Sequence, residues 1–331
     1  MLIAALLLPL PTMARTLEVG PDRDLKAPSA AARVAQDGDV IRIDPGEYFD
    51  CASWRANHLT IEAAGPGVVL TDTACAGKAN FVLSGHDTTI NGLMFTRIRV
   101  PDGNGAGIRA EGGSLTVLNS RFTNNQAAIL AADSPDSVIT IRDSQFIDNG
   151  ACTAHGCVGT ILVGAVARLD ITGSTIQDTR GGQPVASAAD ALVLTGNRIE
   201  DGPEGSSSTL VQQSGPGSLL MQGNTLEKGP HTTNPHTAVL LVADAGPQGS
   251  QLVRDNRFTN DTGGTTAFVT DWTSGSPQMQ GNIFAGPVTE LTSSGRLRHR
   301  LITLAYDTKA ALHNAAAAFY HSGLQIVREL R

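Results

Sequence analysis

The chain has 331 residues and a formal net charge of -7, from 24 Lys and Arg against 31 Asp and Glu. This balance excludes a general basic face for phosphate groups, so nucleic acid is not an expected partner. With 36 Gly and 4% aromatic residues, the composition is typical of a fold with many tight corners and does not resemble that of a helical bundle.

The first 14 residues read as a signal peptide. An apolar run from Leu2 to Leu10 is followed by Thr12 and Ala14 at the spacing of a small-x-small cleavage site. The run is too short to cross a bilayer, which takes about 20 apolar residues. We therefore expect export to the periplasm or the exterior. The usual charged leader is missing, so a misplaced start codon or a buried N-terminal strand are alternatives.

The next segment, "LKAPSAAARVAQDGDVIRIDPGEY", predicts an Ala-rich helix from about Leu25 and then an alternating strand that ends before Pro45-Gly46. Four cysteines follow in the chain, and an even, small set in an exported protein usually pairs. Cys152 and Cys157 can close the short loop "CTAHGC". A metal site is the rival interpretation, but no pair has the Cys-x-x-Cys spacing, and we predict none.

A hexamer of one pattern recurs from residue 90 onward: an apolar residue, a variable one, a short polar or Gly pair, a variable one and a large apolar one. The eight copies are "INGLMF" ending at Phe95, "VLNSRF" at Phe122, "IRDSQF" at Phe146, "ITGSTI" at Ile176, "LTGNRI" at Ile199, "MQGNTL" at Leu226, "VRDNRF" at Phe258 and "MQGNIF" at Phe284. Steps of 23 to 32 residues between copies indicate a solenoid.

The residue types indicate which solenoid it is. Apolar residues alternate before each polar pair, and a second apolar strand follows each copy, with no room for a helix between them. Asn, Ser, Asp and Gly suit a sharp corner at the polar pair, and stacked Asn amides can bond from coil to coil. The large apolar residue after the corner should point inward and form a stack. The sequence therefore predicts an all-β coil of three short strands.

This pattern resembles the right-handed parallel β-helix superfamily that includes pectate-lyase-like proteins, over a domain of residues 15–291. The resemblance implies that the N-terminal helix is a capping helix that covers the first open coil, where strand edges would otherwise be unpaired. It also places Cys51 and Cys75 about one coil apart, so that a disulfide would join the first coils.

Residues 292–331 lack the repeat and predict a basic amphipathic helical tail. Leu301, Ala305, Leu312, Ala315 and Phe319 fall on one helical stripe. One interpretation is a helix that closes the last coil. Another is a helix that contacts a partner protein or a membrane surface, because its basic flank contrasts with the acidic body. Disorder of the segment is the third alternative.

In pectate-lyase-like enzymes the substrate groove follows one parallel sheet, and here the resemblance assigns that role to the second strands. Simple alternation then predicts an outward row, which comprises Arg109, Leu130, Leu162, Ala186, Val211 and Asp271. Uronate lyases of the superfamily neutralise a sugar carboxylate with calcium or with Arg and Lys, and a base removes the neighbouring proton. No cofactor is predicted; calcium is compatible with the family, but the sequence shows no motif for it.

The candidate catalytic residues are Arg109, His155, Arg180 and His236, as acid, base or carboxylate clamp. His155 leads because the Cys152 and Cys157 loop would hold it rigid. Arg180 lies one coil later in an equivalent loop. The alternative is that His155 is an ordinary loop residue and that Arg180 pairs with Asp178.

Three further residues are candidates for substrate binding. Glu204 lies in a flanking loop, and Asp271 and Trp272 could place an acid beside a sugar-stacking ring. A rim Trp that packs on the neighbouring coil is the alternative.

Two functions are compatible with the sequence. The first is an exported β-helix protein that binds or processes a polysaccharide, including an acidic exopolysaccharide cleaved by β-elimination. The second is a non-catalytic scaffold or assembly protein that docks a partner through the coil surface and the basic tail. Scarce Lys and Tyr and a mostly apolar outward row favour the second, whereas the superfamily resemblance favours the first.

Overall fold

The computed structural model describes residues 14–154, 156–243 and 248–293. The predicted signal peptide, apart from Ala14, and the tail beyond Ser293 lie outside the described residues, as does His155. No helix in the described part is long and apolar enough to cross a bilayer.

Three parallel sheets run along the molecule, and from β2 onward the chain visits them in the constant order A, B, C. Sheet A contains β1 (Thr16–Val19), β2 (Val40–Ile43), β5 (Thr60–Ala63), β8 (Thr88–Asn91), β11 (Leu115–Leu118), β14 (Ser134–Arg142), β19 (Val166–Thr172), β22 (Ala191–Thr195), β25 (Ser218–Gln222), β28 (Gln251–Arg254) and β31 (Gln278–Gln280). Sheet B contains β3 (Gly46–Tyr48), β6 (Val68–Thr71), β9 (Met94–Thr96), β12 (Arg121–Thr123), β15 (Gln145–Ile147), β20 (Thr175–Gln177), β23 (Arg198–Glu200), β26 (Thr225–Lys228), β29 (Arg257–Asn260) and β32 (Ile283–Ala285).

Sheet C contains β4 (Ala52–Trp54), β7 (Ala79–Leu83), β10 (Ala106–Ala110), β13 (Ala127–Ala131), β18 (Ile161–Val163), β21 (Val185–Ser187), β24 (Val211–Ser214), β27 (Thr237–Val242), β30 (Thr266–Trp272) and β33 (Val288–Ser293). A separate antiparallel pair, β16 (Ala151–Thr153) and β17 (Gly156–Val158), projects from the coil. The prediction of a parallel β-helix with three strands per coil is confirmed.

The hexamer repeat makes the corner between sheets A and B. Its first two residues end a strand of sheet A, and its last two begin a strand of sheet B, where the final large apolar residue points inward. From the second hexamer onward the fourth position holds Ser or Asn, which bonds to neighbouring coils: the Asn224 side chain donates to Leu194 O of the preceding coil at 2.9 Å and to Asn256 Oδ1 of the next coil at 2.9 Å. Ser residues take this position in earlier coils, as at Ser144. One polar ladder therefore connects successive coils.

The predicted internal stack is confirmed. The rings of Phe95, Phe122 and Phe146 are stacked with centroids 4.9 and 5.0 Å apart. Near the other end, Phe268 of sheet C lies between Phe258 and Phe284. These aromatic contacts fill the interior with large side chains and fix the register of the coils.

Both cysteine pairs form disulfides. Cys51 and Cys75 stand in the B-to-C corners of two consecutive coils and join them, with Cα atoms 5.5 Å apart. Cys152 and Cys157 face each other across β16 and β17. Disulfides of this kind are typical of proteins in an oxidising compartment.

The N-terminal helix α1 (Pro28–Ala32) is shorter than its Ala-rich sequence predicts. It packs against β1 and β4, the first strands of sheets A and C, and Ala31 is fully buried there. Pro28 occupies the first turn, where its missing N–H costs nothing. Its capping role stays a prediction.

Candidate functional site

The outward row on sheet C has fewer charged groups than the sequence predicts. The register places Arg109, Leu130, Leu162, Ala186, Gln212, Leu240 and Thr270 in one outward row. Two predicted members are wrong: Val211 and Asp271 point inward, and they are 0% and 3% exposed. The prediction fails at these two strands because it takes the wrong neighbour as the inward residue: the register pairs Val185, Val211, Val239 and Val269 without a shift, so Gln212 and Thr270 lie outward.

Asp271 is therefore not placed to bind substrate. Its Oδ1 accepts hydrogen bonds from the Thr273 N–H at 2.8 Å and the Thr273 hydroxyl at 2.6 Å, so the carboxylate shapes the turn after β30. Trp272 is half-buried on the outward side, in register with Val242 of the preceding coil.

Arg109 and His236 lie apart from each other. Arg109 is on β10 beside Leu130, and its Nε is buried without a hydrogen-bond partner among the described residues. His236 is exposed in the loop before β27, and its backbone N–H donates to Asn234 Oδ1. The structure therefore does not bring these two candidates together with Arg180 in one site.

Arg180 belongs to a group that we call the arginine cluster: Arg99, Asn124, Asp148 and Arg180. Arg180 forms an ion pair with Asp148 of the preceding coil, not with Asp178. Its Nη1 also lies 3.4 Å from Asn124 Oδ1, the oxygen to which Arg99 donates. Burial and the neighbouring Arg180 charge lower the pKa of Arg99. Two guanidinium groups therefore converge with one carboxylate between them, which leaves an excess of positive charge.

A cleft of about 490 Å³ lies further along sheet B. We call it the acidic cleft, because Glu200, Glu227 and Asp261 line it. Glu200 and Glu227 are register partners on β23 and β26, so their Cα atoms are about 4.8 Å apart. Both side chains point outward because they follow the inward Ile199 and Leu226.

The two glutamates have different surroundings. Glu200 Oε2 is 2.8 Å from Arg198 Nη2 and accepts a hydrogen bond from Gln177 Nε2 at 3.1 Å, so a cation and an amide donor lie beside this carboxyl group. Glu227 Oε2 accepts the Gly202 N–H at 2.7 Å. Burial raises the pKa of Glu227, and the charges of Asp201, Asp261 and Glu200 raise it further, against the opposing effect of the Gly202 hydrogen bond.

Asp178 connects the arginine cluster to the acidic cleft. It stands two residues before Arg180, and it accepts a hydrogen bond from the backbone of Glu204. Burial raises its pKa, as do the nearby carboxylates Asp148, Glu204 and Asp201. Of the predicted residues, Arg180 and Glu204 are thus brought to the same face, on either side of Asp178. Within the described residues no group of three His, Cys, Asp or Glu could hold a metal ion.

The sequence carries a signal for Glu200 and Glu227 in the hexamer repeat. The residue directly after each hexamer must point outward on sheet B, and these residues are Thr96, Thr123, Ile147, Gln177, Glu200, Glu227, Thr259 and Ala285. Two successive glutamates stand out in that series. The superfamily resemblance places the groove on sheet C instead, and it therefore does not point to these two glutamates.

The fold and these two charged groups define a parallel β-helix protein with a polar face along sheet B. No protein-family model matches the sequence, and no curated protein is significantly similar to it.

Several solved structures align with this chain at low identity. A pectin methylesterase from Aspergillus niger is 10% identical, with a TM-score of 0.37 over 87% of this chain and 92% of that one. A pectate lyase is 9% identical, with a TM-score of 0.43 over 86% and 81%. A pectin methylesterase variant in complex with a hexasaccharide is 11% identical, with a TM-score of 0.37 over 83% and 94%.

Proposed function

We propose that the chain is an exported enzyme that cleaves glycosidic bonds of an acidic polysaccharide in the acidic cleft. The observation that carries the proposal is the pair Glu200 and Glu227: two neighbouring carboxyl groups in one cleft whose environments differ. Such pairs divide the roles of acid and base in glycoside cleavage.

The roles follow from the surroundings. Glu227, whose pKa is raised, keeps its proton closer to neutrality and donates it to the oxygen of the leaving sugar as the C–O bond breaks. Glu200, which lies beside the Arg198 cation and the Gln177 amide donor, accepts a proton from the water whose oxygen bonds to the anomeric carbon. Each step then transfers one proton, and the product has one new reducing end.

The arginine cluster supplies the selectivity for acidic sugars. Arg99 and Arg180 share Asn124 and face a single carboxylate, Asp148, so a sugar carboxylate on the substrate would balance the remaining positive charge. Because Asp178 links this cluster to the cleft, one polymer chain along sheet B could contact both.

β-Elimination is the second candidate reaction. The convergence of Arg99 and Arg180 favours it, since guanidinium groups stabilise the charge that develops beside a uronate carboxylate. It differs from hydrolysis in its product, which carries a carbon–carbon double bond that absorbs ultraviolet light.

Location is part of the proposal. The two disulfides fit a periplasmic or secreted protein. Contact of the basic C-terminal tail with a partner protein or a membrane surface remains a separate proposal, which falls on residues outside the described part.

The test is incubation with polygalacturonate, alginate, a glucuronate polymer and a neutral glucan. New reducing ends and ultraviolet absorbance are measured together. We expect reducing ends on at least one acidic polymer, and a loss of about 100-fold or more in Glu227→Gln and Glu200→Gln. Glu62→Gln, on sheet A, is the matched control and should keep full activity.

A second comparison tests the arginine cluster. Arg180→Gln should raise KM for the acidic polymer, whereas Arg168→Gln on sheet A should not. Equal rates in wild type and Glu227→Gln would refute the acid assignment. Binding of the polymers without any cleavage would support the non-catalytic alternative.

A further inference from the structure

Asp201 and Lys228 form an ion pair that is sealed from solvent. They stand at the same repeat position of consecutive coils, two residues after the large apolar residue. Both side chains are 0% exposed, with Lys228 Nζ 3.7 Å from Asp201 Oδ2. Nζ also donates to Ser208 O at 2.6 Å and lies 3.4 Å from Ser207 Oγ.

The corner does not require such a pair. In the four coils before it, the same position is held by Arg97, Asn124, Asp148 and Asp178, none of them buried, and all four have positive φ angles. In the coil after it the position is buried again, but it is held by the uncharged Asn260. Burial of two charges is costly and stabilises a fold only weakly, if at all. An uncharged side chain fills the buried position in the next coil, so the two buried charges at Asp201 and Lys228 point to a role other than making the corner.

Lys228 is connected to Glu227 through the chain, and Asp201 is connected to it through hydrogen bonds. Lys228 follows Glu227 directly. Asp201 donates its backbone N–H to Glu227 O at 3.1 Å, and its neighbour Gly202 donates to Glu227 Oε2 at 2.7 Å. Asp201 Oδ2 accepts the Gly229 N–H at 3.2 Å, so the loops on both sides of the cleft are tied to one carboxylate.

We propose that Asp201 and Lys228 are positioning residues for Glu227. The pair holds the Gly202 amide against the Glu227 carboxyl group, and the Lys228 ammonium balances the negative charge of Asp201 on the buried side of the strand. Its importance for catalysis rests on the proposed function, but the effect on Glu227 itself does not.

Four charged groups lie around Glu227. Glu200 and Asp201 belong to the preceding coil, Asp261 follows β29, and Lys228 is on its own strand. Burial lowers the pKa of Lys228 to about 8, and Asp201 and Glu227 oppose that effect, so the lysine is mostly charged at neutral pH. It therefore offsets the Asp201 carboxylate, which raises the pKa of Glu227.

Single substitutions should move the Glu227 titration in opposite directions. Lys228→Met leaves the Asp201 charge unbalanced and should raise the pKa of Glu227 by roughly one pH unit. Asp201→Asn removes the repulsion and should lower that pKa. The double variant, with no buried charge, should titrate near wild type.

The measurement is a carbon-13 NMR titration of the glutamate carboxyl carbons, with Glu227 assigned by its absence in Glu227→Gln. Asp170→Asn, which removes one partner of an ion pair on sheet A, is the matched control and should change nothing. Thermal unfolding identifies the variants that fold. Where Lys228→Met does not fold, Asp201→Asn and the double variant decide.

The proposal is overturned when the Glu227 titration is the same in wild type and the folded single variants, or when both single variants shift it in one direction. The titration needs no substrate. Opposite shifts in a protein that cleaves no polymer would therefore contradict the proposed function and support the positioning role.

Discussion

Glu227 and Lys228 are adjacent in sequence, but their side chains lie in opposite environments. Glu227 lines the acidic cleft, whereas Lys228 is fully buried beside Asp201. Alternation along β26 explains only why the two point to opposite sides of the strand. The burial of a lysine cannot be read from alternation, because it depends on the partner that the neighbouring coil supplies.

The raised pKa of Glu227 predicts how stability depends on pH. A carboxyl group with a raised pKa in the folded state contributes most below its unfolded pKa and loses this contribution as pH rises through the folded pKa. Glu227→Gln cannot ionise, so it should become more stable relative to wild type as pH increases from about 4 to 7.

Melting temperatures of wild type, Glu227→Gln and the control Glu62→Gln across this range measure the effect. A difference between wild type and Glu227→Gln that stays constant, or moves in favour of wild type with rising pH, would contradict the assignment of Glu227 as a carboxyl with a raised pKa.

At the scale of the element, the hexamer repeat is visible in the sequence because the corner of each coil requires the same residue types. The corner between sheets A and B needs a polar residue that bonds to the next coil, and the strand after it needs a large inward residue. Both requirements recur from coil to coil, at positions such as Asn256 and Phe258. The repeat, the three sheets and the Phe stack could therefore be predicted from the sequence.

The site could be predicted only in part. The sequence predicts Arg180 and Glu204 as polar loop residues, and both lie on the face that carries the acidic cleft. The partners of Arg180 were not predictable, because they depend on how loops of unequal length fold over neighbouring coils: Asp148 is 32 residues away in sequence. Sheet C was assigned by resemblance, and there the register placed Asp271 inward.

The polar ladder gives a test at this scale. Asn224 donates to Leu194 O and Asn256 Oδ1 and accepts from Asn197, all in buried surroundings. Asn224→Ala would leave several of these groups unpaired and should lower the free energy of unfolding by about 2–4 kcal/mol. Asn224→Ser should cost less, since Ser fills this position in earlier coils.

Chemical denaturation measures these differences, and Asn91→Ala, at the outer surface of β8, provides the control. A loss in Asn224→Ala no larger than in Asn91→Ala would mean that the ladder does not hold the coils together.

Across the whole molecule, the repeated coils form a continuous face along sheet B, and the sign of the charge changes along it. The arginine cluster carries excess positive charge, and the acidic cleft, which begins in the next coil, carries excess negative charge. A substrate that spans both would present a carboxylate to the first and a glycosidic bond to the second. The position of a bound polymer therefore shows whether the substrate binds along sheet B or along sheet C.

A crystal structure of the Glu227→Gln variant with an acidic oligosaccharide long enough to span both groups tests the proposed binding face most directly. We expect a glycosidic oxygen beside Glu200 and the introduced glutamine side chain, with a sugar carboxylate at Arg99 and Arg180. An oligosaccharide bound on sheet C over Arg109 and Leu162 instead would contradict the proposed function.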